Sequence, residues 1–266
     1  MLNFILKILD VAKHQILSIC TGVGGLDLGL KAGLESVGID SRTVCMVERE
    51  AFAAAVLAMA VEKGRMDACP LWFGDLRDLP ANQLPAVDWI VGGYPCQPFS
   101  NAGKKLGRDD PRHLWPTILG LIKELQPFGV FFENVSGHVR NGLREVLRDL
   151  AGCGYRCSFG LFTAQEVGAP HKRSRLFILG LADASRSGLQ DSKEGEEPHG
   201  RTPVAGSSSC GHSWEVEPGV GRVANWTPTR VDRLIALGNA VVPQQATRAF
   251  QTLWFAQNGG IRHFPL

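Results

Sequence analysis

The sequence predicts an α/β protein built on a doubly wound, mostly parallel sheet. Three observations predict it. Up to about residue 182, short apolar runs alternate with amphipathic stretches, which is the pattern of strands joined by crossover helices. The residues with the most reactive chemistry fall directly after the apolar runs, and in such sheets ligands gather outside the carboxyl ends of the strands. The last two runs follow each other with no helical period between them, so they are expected to pair antiparallel.

Taken in order, residues 16–20 read as a strand, and residues 26–34 start a helix after a glycine-rich turn. Residues 43–47 form a second strand, and the alanine-rich stretch 51–61 a second helix, alanine being the strongest helix former. Short strands are expected at 71–73 and 88–91. A helix over 113–125 is stopped by Pro127. A strand at 130–132 and a helix at 143–150 follow, and 155–162 and 175–181 are the antiparallel pair. From Asp183 to about Gly221 the chain is rich in Gly, Ser, Pro and charge and has no period; a flexible surface insert and an ordered recognition element both fit. Regular pattern returns as a helix over 229–237, a loop over 238–243 and a closing helix over 244–256. Residues 1–11 are apolar around Lys7. They are too short to span a bilayer and are expected to be a packed helix or a loose leading segment, with no membrane role.

Composition sets bounds. The 266 residues suit one large domain, or one with a small insert, and 44% hydrophobic with 20% charged residues is a globular balance. A formal net charge of only +2 carries no bulk nucleic-acid signal, so any anion site must be local. Seven cysteines at irregular spacing indicate reduced thiols rather than a disulfide framework. Cys153 and Cys157 lack a second pair, so no metal site is expected.

Residues 92–100, GGYPCQPFS, are the most informative stretch. Cys96 sits between Pro95 and Gln97 on a rigid turn after a buried strand, a placement that suits a nucleophile, although a structural thiol is the commoner fate of cysteine. A thiol of ordinary pKa about 8.5 needs a positive neighbourhood to act, and Arg173 and Arg175 are candidates. Glu133 ends the next apolar run, with Asn134 beside it to fix its orientation. A nucleophilic Cys and a Glu at neighbouring strand ends suit attack on an electron-poor ring that must be protonated as it is attacked. The turn Thr21-Gly22-Val23-Gly24-Gly25 lets backbone approach a ligand at a helix start. Glu48 is placed to bind ribose hydroxyls and Asp75 to accept from an adenine amine; the three together point to a nucleoside-type cofactor. In the basic run 171–175, Arg173 and Arg175 share a side at strand spacing, and their forks suit phosphate or a carbonyl edge. A second basic group, Lys104, Lys105, Arg108, Arg112 and His113, lies in a loop expected to close over a polyanion.

In this order the pieces resemble the DNA (cytosine-5) methyltransferase family, in its compact bacterial or phage form. The likeness covers about residues 15–182 and 228–250: TGVGG, Glu48, Asp75, GGYPCQPFS, FFENV, GAPHKRSRLFILG and LGNAVVP each match a family motif. The resemblance implies a Rossmann-like class I methyltransferase fold. Residues 1–182 would form the catalytic, cofactor-binding domain, 183–226 a short target-recognition segment, and 227–266 a return to the catalytic domain. It implies S-adenosylmethionine as cofactor, held by Thr21, Gly22, Gly24, Gly25, Leu26, Glu48, Asp75, Leu76, Pro95, Asn239 and Ala240. Cys96, Glu133, Arg173 and Arg175 would be catalytic, and Gln97, Ser100, Asn134 and Arg108 would meet the substrate. The implied partner is double-stranded DNA, with the target cytosine flipped out of the stack. The protein is expected to be a cytoplasmic monomer, bacterial or phage-encoded, acting as the partner of a restriction endonuclease, as a phage self-protection enzyme or as an orphan. Two alternatives are an RNA (tRNA) cytosine-5 methyltransferase and a catalytically inactive nucleic-acid-binding relative.

The chain departs from the family pattern at identifiable places. Ser18 and Cys20 stand where members often carry Asp and Phe, and His171 stands where Gln is usual. The Phe that would stack on the cofactor adenine is therefore absent. The segment 183–221 is more acidic than basic, the wrong sign for attracting phosphate.

Overall fold

The computed structural model describes residues 13–95, 114–183 and 230–259. Its strands are β1 (His14–Ile19), β2 (Ser41–Glu48), β3 (Leu71–Phe73), β4 (Trp89–Gly92), β5 (Gly129–Val135), β6 (Tyr155–Thr163) and β7 (Ser174–Ala182). Its helices are α1 (Gly25–Ser36), α2 (Ala51–Glu62), α3 (Trp115–Leu125), α4 (His138–Asn141), α5 (Leu143–Gly152), α6 (Arg230–Asn239) and α7 (Pro243–Gln257). The strands form one seven-stranded sheet in the order β3-β2-β1-β4-β5-β7-β6. β1 to β5 pair in parallel, while β7 runs antiparallel to both β5 and β6. The expected mostly parallel, doubly wound sheet and its antiparallel final pair are therefore both present.

Successive residues of the central strands go to opposite faces, as pleating requires. Leu17, Ile90, Phe132 and Ile178 pack under α3 and α5 against Ile118, Ile122, Val146 and Leu150. Their neighbours Ile16, Trp89, Phe131 and Phe177 pack on the other face against Leu26, Leu30 and Leu34 of α1 and Phe250 and Leu253 of α7. Burial on both faces explains why these strands read as continuous apolar runs.

Differences from expectation are local. β5 extends past Phe132 because Glu133, Asn134 and Val135 find ladder partners in Phe177, Leu176 and Arg175. α4 has only four residues, too few to show a period. α6 runs on through Asn239, and α7 starts at Pro243, so the loop expected over 238–243 narrows to three residues, 240–242. The leading segment 1–11 and the insert beyond Asp183 lie outside the described residues, as does the basic loop apart from its helical sequel.

α1 and α7 meet backbone to backbone. Gly25, Gly29 and Gly33 are four apart and share one face of α1. A Cβ on Gly29 would sit 2.6 Å from Pro243 O, and one on Gly33 would sit 2.6 Å from Phe250 Cδ1. One on Gly25 would overlap Val241 O. The Thr247 hydroxyl crosses the seam and donates to Gly29 O at 3.0 Å. The stripe places the start of α7, and the turn before it, against the first turn of α1.

Candidate active site

The site is assembled where the parallel strands end. After β1 the chain turns through Cys20 (φ 48°), Gly22 (φ 60°) and Gly24 (φ 83°). Among the described residues, a Cβ on Gly22 would meet nothing within 4 Å, so this turn presents bare backbone to the cleft. The Gly22 N–H donates to Glu48 Oε2 at 2.7 Å, and Glu48 Oε1 accepts from the N–H groups of Arg49 and Glu50 at 2.9 and 2.8 Å. Three backbone donors thus fix the Glu48 carboxylate at the end of β2. Thr21 lies beneath the turn, its hydroxyl 2.9 Å from the Ser18 hydroxyl and donating to Val47 O at 3.2 Å. Gly24 supplies the left-handed residue that caps α1.

Behind this turn sits a carboxyl the sequence did not single out. Asp27, in the first turn of α1, is buried, and its Oδ1 has no hydrogen-bond partner among the described residues. Burial pushes its pKa up to about 7, against the pull of the Ser18 hydroxyl, its own backbone N–H and Lys31. Lys31 itself is held by Asp67 at 2.6 Å, and Asp67 adds to the upward push.

Asp75 opens a short 3-10 turn. Its carboxylate accepts from the Arg77 N–H at 2.9 Å and from the Arg77 guanidinium at 2.9 Å. It therefore caps the turn and lines the cleft at once.

The opposite end of the cleft is built from β4, β5 and β7. Glu133 is buried and pairs with Arg175, Nε to Oε1 at 2.9 Å. Burial raises its pKa to about 7, opposed by the guanidinium charges of Arg175 and Arg173. Gly93 leaves room for it, since a Cβ there would lie 3.2 Å from Glu133 Oε2. Asn134 is also buried; its amide donates to Tyr94 O at 3.1 Å while its oxygen accepts from Val135 N at 2.9 Å. Asn134 thereby ties β5 to the turn that leads to Cys96. The Tyr94 hydroxyl lies 3.0 Å from His138 Nε2 on α4, and burial lowers the His138 pKa to about 4, so this imidazole is neutral at ordinary pH.

One cleft of about 630 Å³ joins the two ends, a volume suited to a small-molecule ligand. It is lined by Thr21, Gly22, Gly25, Leu26, Glu48, Asp75 and Leu76 on one side and by Tyr94, Pro95, Glu133, Asn134 and Arg175 on the other. Asn239, Ala240 and Val241 close it. Bare backbone at Gly22, an immobilised carboxylate at Glu48 and a cleft of this size fit a nucleoside-type cofactor. Cys20, marked in the sequence only as a departure from the family pattern, and Phe52, which the sequence did not single out, also line it. Phe52 puts an aromatic ring in the wall; Cys20 occupies the place of the missing Phe. The Cys20 thiol is pushed up to about 12 by burial and by the nearby Glu48 charge, so it stays protonated.

Most of the site residues expected from sequence therefore gather around one cleft. Gly24 stands behind the turn rather than in the lining. Arg173 does not line the cleft either: its φ of 32° breaks strand alternation, and its guanidinium donates to Gly238 O at 2.9 Å and to Ala240 O. Cys96, Gln97, Ser100 and Arg108 lie outside the described residues.

Comparison with known proteins agrees with this arrangement. The family model "C-5 cytosine-specific DNA methylase" matches residues 14–207. The chain is 34% identical over 174 residues to the type II methyltransferase M.HgiCII of Herpetosiphon aurantiacus, a match covering 64% of this chain and 37% of that protein. It is 34% identical over 170 residues to M.NgoMIV of Neisseria gonorrhoeae, covering 62% of this chain and 51% of that one. The orphan methyltransferase M.Rho11sI of Bacillus phage rho11s is 29% identical over 178 residues, 65% of this chain and 34% of its own length. The chain's match thus spans about a third to a half of these relatives. Among solved structures, a Spodoptera frugiperda DNMT2 mutant shares the fold with a TM-score of 0.54 at 24% identity, over 72% of this chain and 56% of that one. With the family model matched over well more than half of its residues, the chain belongs to the C-5 cytosine-specific DNA methylases.

Proposed function

We propose that this protein transfers a methyl group from S-adenosylmethionine to carbon 5 of a flipped-out cytosine in double-stranded DNA, through a covalent bond to Cys96. The observation that carries the reading is the buried Glu133–Arg175 pair, set in the same cleft as the glycine turn and Glu48 and next to the turn that runs into Cys96.

In this reading Gly22, Glu48, Asp75, Asn239 and Ala240 hold S-adenosylmethionine, which when bound supplies an electrophilic methyl group. The chain's own residues do the rest. The target base leaves the stack because its reacting edge is inaccessible within it. The Cys96 thiolate forms a bond to ring carbon 6. Glu133, whose pKa burial raises to about 7, can hold a proton in this range and delivers it to ring nitrogen 3 as negative charge develops there. That makes carbon 5 the nucleophile. Carbon 5 takes the methyl group; a base then removes the carbon 5 proton, the nitrogen 3 proton returns to Glu133, and re-formation of the ring double bond expels the Cys96 thiolate. Arg175 holds Glu133 in place and offers its remaining donors to the ring carbonyl. The sequence read by the enzyme, and a cognate endonuclease, belong to the wider restriction setting in which the type II relatives are named.

The test is covalent trapping. Duplex DNA carrying 5-fluorocytosine, incubated with S-adenosylmethionine, should form a denaturation-resistant adduct with the wild-type protein and none with Cys96→Ser. Absence of an adduct on a duplex whose unfluorinated counterpart is methylated would refute the covalent route. Running tRNA beside duplex DNA separates the RNA reading.

A further inference from the structure

Arg173 and Arg175 stand two apart at the start of β7 and face different partners. Arg175 Nε pairs with Glu133 at 2.9 Å, and its Nη1 donates to Ser174 O at 3.0 Å. Arg173 reaches the other way. Its Nη2 donates to two carbonyls of the closing turn, Gly238 O at 2.9 Å and Ala240 O. Its own carbonyl accepts from Gln245 Nε2 at 3.0 Å, and the same amide group donates to Phe162 O at 2.9 Å. Gln245 is fully buried, so this tie is closed to water. The left-handed backbone at Arg173 is what turns its side chain out of register with Arg175.

We propose that Arg173 is a positioning residue that couples the closing turn of the cleft to the Glu133–Arg175 pair, so that a ligand seated against Asn239 and Ala240 orders the acid at the far end. The proposal rests on the reading of the cleft as a cofactor site. Asn239 and Ala240 line the cleft, and Arg173 bonds the carbonyls on either side of Asn239. Two covalent steps along β7 then reach Arg175 and its partner Glu133. A guanidinium can bond two carbonyls at once because its donors are fixed in a fork, whereas an ammonium acts as a single point charge. The coupling gives cofactor-first assembly a physical route: a ligand that steadies the closing turn steadies the carbonyls Arg173 bonds, and through Arg173 the strand that orients Glu133.

The experiment uses the full chain with S-adenosylhomocysteine as probe, in wild type, Arg173→Met and Arg173→Lys. Binding is read by calorimetry and backbone ordering by hydrogen exchange. The wild type should bind the probe, with slower exchange near residues 239–242 and also along the start of β7. Arg173→Met should bind about tenfold more weakly, as expected for loss of charged hydrogen bonds at a ligand wall, and should protect residues 239–242 alone. Arg173→Lys should fall between. Unchanged affinity in Arg173→Met, or protection of β7 that survives in it, would overturn the proposal. Where Arg173→Met fails to fold by circular dichroism, Arg173→Lys is judged by the same two readouts. A wild type that does not bind the probe would instead overturn the cofactor reading of the cleft, and the proposal with it.

Discussion

Replacing Asp27 by Asn should make the protein more stable, by an amount that depends on pH. Asp27 is buried in the first turn of α1, with one carboxyl oxygen lacking a hydrogen-bond partner among the described residues, and burial raises its pKa from 3.8 to about 7. The folded state therefore keeps the proton over a range where the unfolded chain releases it. Below the ordinary carboxyl pKa both states are protonated and there is no penalty. As pH rises from there to about 7 the unfolded state is progressively favoured, and above it the penalty is complete. At about 1.4 kcal/mol per pKa unit, the full effect is roughly 4 kcal/mol. That is a large share of the roughly 5–15 kcal/mol that stabilises a typical domain. Asn matches the shape of the protonated acid and cannot ionise. Urea unfolding followed by circular dichroism, on both proteins at about pH 4.5 and about pH 8.5, should show the Asn variant's advantage growing by about 3 kcal/mol between the two. An advantage that is the same at both pH values would refute the reasoning, since it would mean Asp27 does not hold its proton in the fold.

Two further predictions concern the seam and the cleft. Gly29→Ala should lower the melting temperature, because its Cβ would collide with α7, by an overpacking cost of about 1–3 kcal/mol. Gly120→Ala on α3, where a Cβ meets nothing within 4 Å among the described residues, should instead be neutral or stabilising by up to about 1 kcal/mol; equal losses at both positions would argue against the seam. Glu48→Ala removes the acceptor shared by three backbone N–H groups. It should weaken S-adenosylhomocysteine binding by at least about tenfold in calorimetry, and unaltered affinity would take Glu48 out of the cofactor wall.

Much of this was legible in the sequence, for physical reasons. The strands are buried on both faces, so they announce themselves as apolar runs, and a charged residue at the end of such a run is conspicuous: Glu48 and Glu133 were found that way. What escaped detection depends on contacts between distant residues or on single dihedrals. Arg173 was expected to point with Arg175 because strand spacing assumes extended backbone, and a φ of 32° at one residue undoes that. Gly25 was read only as part of a ligand turn. Its role in the seam with Gly29 and Gly33 needs α7, more than two hundred residues along the chain, to become visible. Nothing in the sequence sets Asp27 apart from the acids common in a helix's first turn; only the packing shows it sealed in. The Tyr94–His138 pair joins residues 44 apart through a helix too short to predict.

The backbone-close seam has a consequence for how the protein comes into being. The wall formed by Asn239, Ala240 and Val241 stands where α7 nests on α1, so a nascent chain that has completed β1 to β7 still lacks one side of the cleft. In the proposed reading, ligand capture would therefore be a late event in folding, one that waits for α1 and α7 to meet. A ligand bound there would in turn hold α1 and α7 together, acting as a structural rivet.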